Sequence, residues 1–244
     1  MSDPASAAPL LATLIDAALA GAREVMAVYR TDFEVEHKAD DSPVSAADRR
    51  AEAAILARLS AASPEIPIIA EEAVSAGTIP SVGRKFFLVD PLDGTKEFVS
   101  RNGEFTVNIG LIEDGVPVTG VVLAPALGLA YSGSRAGAWK GTTSPTLDGI
   151  RGWAAIRTRS SDHAPVAVAS RSHSNPATEA ALARANAGAR RSIGSSLKFC
   201  LLAEGQADFY PRLGPTMEWD TAAGDAVLRA AGGMVVTLDG QPLR

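Results

Sequence analysis

The sequence contains one cysteine and three histidines in 244 residues, and both scarcities exclude classes of protein. A single cysteine cannot form a disulfide within the chain, which suits a reducing cytoplasm. That residue, Cys200, lies in an apolar helical stretch and is predicted to be core rather than a nucleophile. No Cys/His cluster occurs, so a bound metal would be held by oxygen donors, which favours Mg²⁺ over zinc.

Basic runs, long apolar segments and a nucleophile elbow are also missing. The formal net charge is −5 and no run of Lys or Arg occurs, which argues against a nucleic-acid polymer and for a small substrate. No segment approaches a membrane-spanning length, and the N-terminus lacks the features of a secretory signal. Gly-x-Ser-x-Gly is absent, which disfavours a Ser-His-Asp hydrolase. We therefore expect a cytoplasmic protein without a membrane span.

With 46% hydrophobic and 21% charged residues, the chain can bury one sizeable core, and the pattern predicts a single α/β or α+β domain over residues 1–244. The predicted helices and strands alternate in the C-terminal half. The stretch 140–163 is rich in Thr, Ser, Gly and Arg and is predicted to be a surface connection between an N-terminal half, about 1–140, and a C-terminal half, about 164–244. Helices are predicted at 9–30, 45–60, 178–187, 195–204 and 221–231, strands at 66–70, 85–89, 165–169 and 207–210, and antiparallel hairpins across 105–139.

The most informative segment is VDPLDGTKEF, residues 89–98, which follows a predicted buried strand. Asp90 and Asp93 stand three residues apart, and Pro91 removes a ladder donor where the strand should end. Gly94 lets backbone approach an anion, and the amides of Gly94 and Thr95 would then face phosphate oxygens. Alone, the segment fits an ordinary turn and a metal–phosphate site equally well.

Further acids occur where other predicted elements begin or end. Glu71 and Glu72 follow the strand at 66–70, and would point to opposite faces if the chain stays extended, so only one of them should touch a given ion. Asp220 precedes a small-residue helix, where an Asp alone is more often a cap. Asp48 falls in the first turn of the helix predicted at 45–60, at its positive end. Together these acids favour a site for a hard cation.

In order and spacing, Glu71-Glu72, Asp90-Pro91-Leu92-Asp93-Gly94-Thr95 and Trp219-Asp220-x-x-Ala223-Gly224 resemble the inositol monophosphatase superfamily of magnesium-dependent, lithium-sensitive phosphatases. Lys96-Glu97-Phe98, Ser170-Arg171-Ser172-His173, Gly194-Ser195-Ser196-Leu197-Lys198 and the segment 210–220 resemble its CysQ-type 3′(2′),5′-bisphosphate nucleotidases more narrowly. The resemblance covers nearly the whole chain. It implies a layered α-β-α-β-α sugar-phosphatase fold.

The resemblance also implies an activity and a set of site residues. The activity is hydrolysis of adenosine 3′,5′-bisphosphate to AMP and phosphate in sulfate assimilation, and it extends to removal of the 3′-phosphate from the corresponding phosphosulfate. Two or three Mg²⁺ ions are implied, one held by Glu71, Asp90 and the carbonyl of Leu92, and a second held by Asp90, Asp93 and Asp220. Asp48 and Thr95 correspond to the pair that orients and deprotonates the attacking water. Substrate contacts are implied for Gly94, Thr95, Ser170, His173, Gly194, Lys198 and Arg212.

Several alternatives stay open at the level of sequence. Helix capping explains Asp48 about as well as catalysis does. Lys198 alone is more typical of a solvated helix residue, and His173 of a hydrogen bond within a turn. For the whole protein, the alternatives are an inositol-1-monophosphatase and a metal-binding regulatory protein that has lost catalysis. A phosphorylated nucleotide is the expected partner, and a homodimer is compatible with the resemblance.

Overall fold

A seven-stranded mixed sheet forms the centre of the fold in the computed structural model, which describes residues 4, 9–31, 43–160, 164–170, 175–185 and 187–244. Its strands are β1 (Ile68–Ala70), β2 (Lys85–Asp93), β3 (Thr106–Glu113), β4 (Val116–Ala124), β5 (Leu129–Ser134), β6 (Gly137–Thr143) and β7 (Ile150–Ile156). A second sheet pairs β8 (Val166–Ser170) with β9 (Ala189–Ile193). The helices are α1 (Pro9–Tyr29), α2 (Pro43–Ala62), α3 (Glu71–Ser75), α4 (Thr95–Val99), α5 (Pro176–Arg184), α6 (Leu197–Ala203) and α7 (Trp219–Ala230).

The strands of the large sheet follow chain order. β1 and β2 run parallel, and each later pair is antiparallel. The hairpin between β3 and β4 turns at Asp114 and Gly115, which both have positive φ, as a two-residue hairpin turn requires. The predicted hairpins across 105–139 are therefore confirmed.

Successive side chains of a strand point to opposite faces of the sheet, so the apolar residues pack in two separate cores. Val121 of β4 packs with Leu14 of α1 and Ile55 of α2, whereas its neighbour Val122 packs with residues of α6 and α7. Val168 of β8 joins this second core, and its neighbours Ala167 and Ala169 instead pack against Leu182 of α5. The layers are thus α1/α2, the large sheet, α6/α7, the small sheet and α5, which confirms the expected α-β-α-β-α order. No helix of the described ranges is long and apolar enough to span a bilayer.

Two predicted boundaries near the acidic residues are wrong. β2 does not end at Asp90; it continues through Pro91 to Asp93, with a register irregularity over this stretch. Helix α2 begins at Pro43, because proline is well tolerated at the first helical position, where its missing N–H is not needed. Asp48 is therefore the sixth residue of α2 and lies beyond its first turn.

Other predictions failed where tertiary pairing decides the structure. The stretch 140–163 is not a loose connection, since β6 continues to Thr143 and β7 pairs with it. β9 was not predicted, and the predicted strand at 207–210 is a single bridge between Phe209 and Ala167. Cys200 is fully buried in α6, as predicted, and burial raises the pKa of its thiol.

Three glycines let α7 rest directly on the sheet. Gly110, Gly120 and Gly133 pair across β3, β4 and β5. A Cβ at Gly120 would lie 2.8 Å from Cβ of Ala226, and one at Gly133 would lie 2.6 Å from Cα of Val227. Only glycine permits this approach, and α7 carries Asp220 as its second residue. The depth of α7 on the sheet therefore sets the position of that carboxylate.

We expect Gly120→Ala to lower the free energy of unfolding by about 1–3 kcal/mol, because an extra methyl group in a packed interface forces the backbone to move. Urea denaturation of purified protein measures this. Gly83→Ala is the matched control, since nothing lies within 4 Å of a Cβ at Gly83. Equal stability of the two variants would contradict the close approach of α7.

Candidate active site

A cleft of about 240 Å³ lies where the irregular end of β2 meets the N-terminal ends of α3, α6 and α7. Most of the residues singled out in the sequence line it. They are Glu71, Asp90, Leu92, Asp93, Gly94, Thr95, Ser170, Lys198, Arg212 and Asp220. Asp48 and Gly194 are not among the lining residues, and His173 lies outside the described residues.

The irregular end of β2 supplies two of the carboxylates. Asp90 is 1% exposed, and its Oδ1 accepts a hydrogen bond of 3.1 Å from the backbone N–H of Leu92. Because Pro91 has no N–H to give the ladder, the chain can leave regular pairing between the two acids. Asp93 resumes pairing opposite Thr106. The local sequence therefore places both acids side by side without a long loop.

Glu71 and Asp220 reach the cleft from helix starts. Glu71 is the first residue of α3, so the chain is helical at Glu71-Glu72, and the argument from opposite faces of an extended chain does not apply. Asp220 does not cap α7; its Oδ2 accepts hydrogen bonds from Oγ1 of Thr216 at 2.7 Å and from the N–H of Met217 at 3.1 Å. The carboxylate thus holds the loop before α7 against the cleft.

Burial and mutual repulsion raise the proton affinity of this carboxylate cluster. Burial raises the pKa of Asp90 well above its ordinary value, and Asp93, Glu71, Asp220 and Asp48 raise it further. Burial, followed by repulsion from Asp220, raises the pKa of Glu71 to about 7. Burial also raises the pKa of Asp93, although the nearby ammonium of Lys198 opposes the shift. A multivalent cation would relieve this repulsion.

The donors of the cluster fit magnesium by their chemistry, since Mg²⁺ prefers carboxylate and carbonyl oxygens. The cleft lining contains neither Cys nor His. Within the described ranges, however, no three His, Cys, Asp or Glu side chains form a ready-made metal site. Asp90, Asp93 and Asp220 each direct an oxygen to a neighbouring protein donor. The metal assignment therefore stays a prediction.

Asp48 lies behind the cluster, on α2. It is 5% exposed, and its Oδ1 has no hydrogen-bond partner. Burial raises the pKa of Asp48 to about 9, and repulsion from Glu72 and Glu71 adds to the shift. Because Asp48 is well inside α2, helix capping does not explain it. Thr95 is exposed in the cleft at the start of α4, which packs beside α2, and the pairing of these two residues stays a prediction.

Cationic side chains occupy the other part of the cleft. Lys198 is 5% exposed and not solvated, so the surface alternative is wrong. Its Nζ donates to the carbonyl of Ser195 and lies 5.5 Å from the ring centroid of Tyr210. Burial lowers the pKa of Lys198, whereas the charges of Asp93, Glu97 and Glu104 raise it and that of Arg212 lowers it. Arg212 donates to the carbonyl of Pro215 at 2.9 Å, and its buried Nε has no partner.

Glycine and serine shape the wall between the two parts. Gly94 has φ 91°, and Ser195 has φ 48°, both in the left-handed region. A Cβ at Gly194 would lie 2.5 Å from Cγ of Glu97, so glycine is required there for packing and not for contact with the cleft. The buried Oγ of Ser195 has no hydrogen-bond partner, and Ser195 lines the cleft. Ser170 lines it from the end of β8.

Sequence reasoning missed a polar network beneath the carboxylates. Nδ2 of Asn108, a residue 1% exposed on β3, donates to Oγ of Ser196 at 3.0 Å and to Oδ2 of Asp93 at 3.4 Å. Oγ of Ser196 donates onward to the carbonyl of Asp220 at 3.0 Å. The network joins β2, β3 and the start of α7. An asparagine within the apolar strand at 106–112 was the available signal, because a buried amide needs polar partners.

Comparisons with known proteins agree with this architecture. A sequence profile described as the inositol monophosphatase family matches residues 6–244. The 3′(2′),5′-bisphosphate nucleotidase CysQ of Shigella flexneri is 46% identical over 221 residues, which are 90% of this chain and 87% of that protein. The crystal structure of CysQ from Bacteroides thetaiotaomicron matches with a TM-score of 0.83 at 38% identity, over 96% of this chain and 91% of that one. An inositol monophosphatase from Anabaena matches with a TM-score of 0.76 at 26% identity, over 97% of this chain and 86% of that one.

The raised pKa of Asp48 predicts how the metal-free protein responds to pH. Between its ordinary value of 3.8 and about 9, the folded state holds a proton that the unfolded chain has lost, so stability falls as pH rises. We expect Asp48→Asn to reduce this slope by at most about 1.4 kcal/mol per pH unit. Urea denaturation in EDTA across this range measures it. Asp16→Asn, at an exposed position, is the control. An unchanged dependence of stability on pH in Asp48→Asn would contradict the raised pKa of Asp48.

Proposed function

The chain belongs to the inositol monophosphatase family, and from that membership we propose that it hydrolyses adenosine 3′,5′-bisphosphate to AMP and phosphate. The observation that carries the proposal is one cleft that combines a carboxylate cluster with two buried or half-buried cations, Lys198 and Arg212. A substrate with two phosphates on one ribose supplies an anion for each part. The relative from Shigella flexneri is named as a 3′(2′),5′-bisphosphate nucleotidase, which supports the same substrate class. The proposal extends to removal of the 3′-phosphate from the corresponding phosphosulfate.

The family is generally Mg-dependent, and two or three Mg²⁺ ions are proposed for this chain. When bound, they would polarise the phosphate, lower the pKa of water and stabilise the leaving oxygen. Glu71, Asp90 and the carbonyl of Leu92 are proposed to hold one ion, and Asp93 and Asp220 share Asp90 in holding the next. The end of β2 gives these donors fixed spacing, since the backbone of Asp90 pairs with Asn108 and that of Asp93 pairs with Thr106.

Water activation is proposed for Thr95 and Asp48. The Thr95 hydroxyl is exposed in the cleft, so it can accept a hydrogen bond from a water molecule and orient that water beside a bound phosphate. It is a weak base, and the proton must go on to a better acceptor. Asp48 is proposed as that acceptor in the metal-bound enzyme, where the cation charge would offset the repulsion from Glu72 and Glu71 that adds to burial in raising its pKa, and would leave the carboxylate ionised. Its Oδ1 has no competing hydrogen bond.

Substrate choice is assigned to the cationic part of the cleft. Nζ of Lys198 lies 5.5 Å from the ring centroid of Tyr210, and Arg212 donates a hydrogen bond of 3.4 Å to the Tyr210 hydroxyl. They would meet the phosphate that is not cleaved, together with Ser170, which also lines the cleft. Inositol 1-phosphate has no second phosphate for these cations, which favours the nucleotide over that alternative. A cytoplasmic location and a homodimer stay predictions.

Phosphate release from two substrates tests the proposal directly. We expect purified protein to release phosphate faster from adenosine 3′,5′-bisphosphate than from inositol 1-phosphate, and to lose activity in EDTA. Asp93→Asn should abolish turnover while the protein stays folded, because Asn favours the same turns but lacks the ligand charge. Exposed Asp239→Asn is the control. Faster release from inositol 1-phosphate would favour an inositol monophosphatase, and no release from either substrate would favour a silent metal-binding protein.

Lys198→Met should selectively lower activity on the nucleotide, since methionine fills similar space without the charge that would meet its second phosphate. A lost charge-assisted hydrogen bond costs roughly 1.5–3 kcal/mol, so we expect kcat/KM on the bisphosphate to fall about ten- to over a hundredfold. Hydrolysis of a small phosphomonoester should change little at saturating Mg²⁺. Lys85→Met removes a charge from an exposed position and serves as the control. An equal loss on both substrates would contradict a role in selectivity.

A further inference from the structure

Helix α3 begins without a cap from its own segment of chain. The residue at its N-cap position, Ala70, has no side chain that can accept a hydrogen bond, and α3 has only five residues. The first N–H groups of a helix have no partner within it, and a helix this short is not stable alone. Its start therefore needs an acceptor from elsewhere in the fold, and Glu71 is the first residue that depends on it.

Glu52 of α2 provides that acceptor. Its Oε2 accepts a hydrogen bond of 2.8 Å from the N–H of Glu72, and its carboxylate also accepts from the backbone of Ala73. Glu52 is 6% exposed, so water does not compete for these bonds. A carboxylate at a helix start is also favoured by the helix dipole. Glu52, although distant in sequence, thus takes the place of an N-cap residue for α3.

The position of Glu52 links two parts of the proposed mechanism. Glu52 follows Asp48 by four residues, so both side chains lie on the same face of α2. The peptide anchored at Glu72 is the one that joins it to Glu71, which lines the cleft together with Asp90. Without the anchor, the start of α3 would fray and the Glu71 carboxylate would no longer have a fixed place.

We propose that Glu52 is a positioning residue, which caps α3 from a neighbouring helix and thereby holds Glu71 where it can ligate Mg²⁺; this rests on the proposed function of Glu71. Glu52 touches neither substrate nor the reacting atoms. Its effect is on metal affinity and on the order of α3, whereas substrate affinity at saturating Mg²⁺ is unaffected. Position 52 therefore requires a side chain as long as glutamate that carries a hydrogen-bond acceptor.

Three variants separate these requirements. Glu52→Met keeps the volume and removes the acceptor, Glu52→Asp keeps the charge and shortens the reach, and Glu52→Gln keeps an acceptor at full reach. Mg²⁺ binding to each folded protein is measured by calorimetry without substrate, and amide hydrogen exchange of residues 71–75 is measured in EDTA. Glu65→Ala is the control, because it removes a negative charge from an exposed position between α2 and β1.

We expect Glu52→Met and Glu52→Asp to bind Mg²⁺ about fivefold more weakly, the loss typical of a missing cap, and to exchange faster at 71–75. Glu52→Gln should recover most of the affinity and protection, and Glu65→Ala should match the wild type. The proposal is overturned if Glu52→Met keeps wild-type Mg²⁺ affinity and wild-type protection from exchange. If Glu52→Met does not fold, the same result in Glu52→Asp overturns it. A wild-type protein that binds no Mg²⁺ would instead refute the proposed metal site, while the exchange data would still decide whether Glu52 caps α3.

Discussion

Repulsion among buried carboxylates is the constraint on which the rest of this structure depends. Glu71, Asp90, Asp93 and Asp220 come from three separate elements, and Asp48 adds its charge from behind. Removal from water and proximity both penalise the ionised forms, which is why the pKa values of Asp90, Glu71 and Asp48 are raised. A chain without strong restraints would move these groups apart. The fold must therefore hold each one against an unfavourable electrostatic energy.

The restraints come from several elements of the fold and act on backbone as well as on side chains. Asp90 and Asp93 are fixed because β2 keeps pairing on both sides of Pro91. Asp220 is fixed because α7 sits on the glycine row of β3, β4 and β5, and because its own oxygen holds Thr216 and Met217. Asn108 then ties Asp93 to Ser196 and, through it, to the start of α7. Loss of one restraint leaves the others in place, so single substitutions should alter the site before they unfold it.

The sequence predicted the parts of the fold that local pattern decides. Apolar periodicity located α1, and the Asp114-Gly115 turn located the β3–β4 hairpin. Strand β7 was missed because it lacks clear alternation and includes Gly152 at positive φ, so only its pairing with β6 makes it a strand. In the site, Asp90 and Asp93 are close in sequence and were found together. The burial of Lys198 was not foreseeable, since Tyr210 and the acids that surround it are distant in sequence.

Helix α2 connects this electrostatic constraint to the chemistry. It carries Asp48 and Glu52 on one face, and it is pressed against α1 so closely that a Cβ at Gly21 would lie 2.6 Å from Cδ1 of Ile55. A shift of α2 would therefore move the proposed proton acceptor and the anchor of Glu71 in the same direction. Their relative position is preserved because one rigid helix holds both, whereas Asp90 and Asp93 are held by the sheet. The position of Asp48 and Glu52 relative to Asp90 and Asp93 therefore depends on how α1 and α2 pack on the large sheet. Leu14, Ile55 and Val121 share one core at this interface.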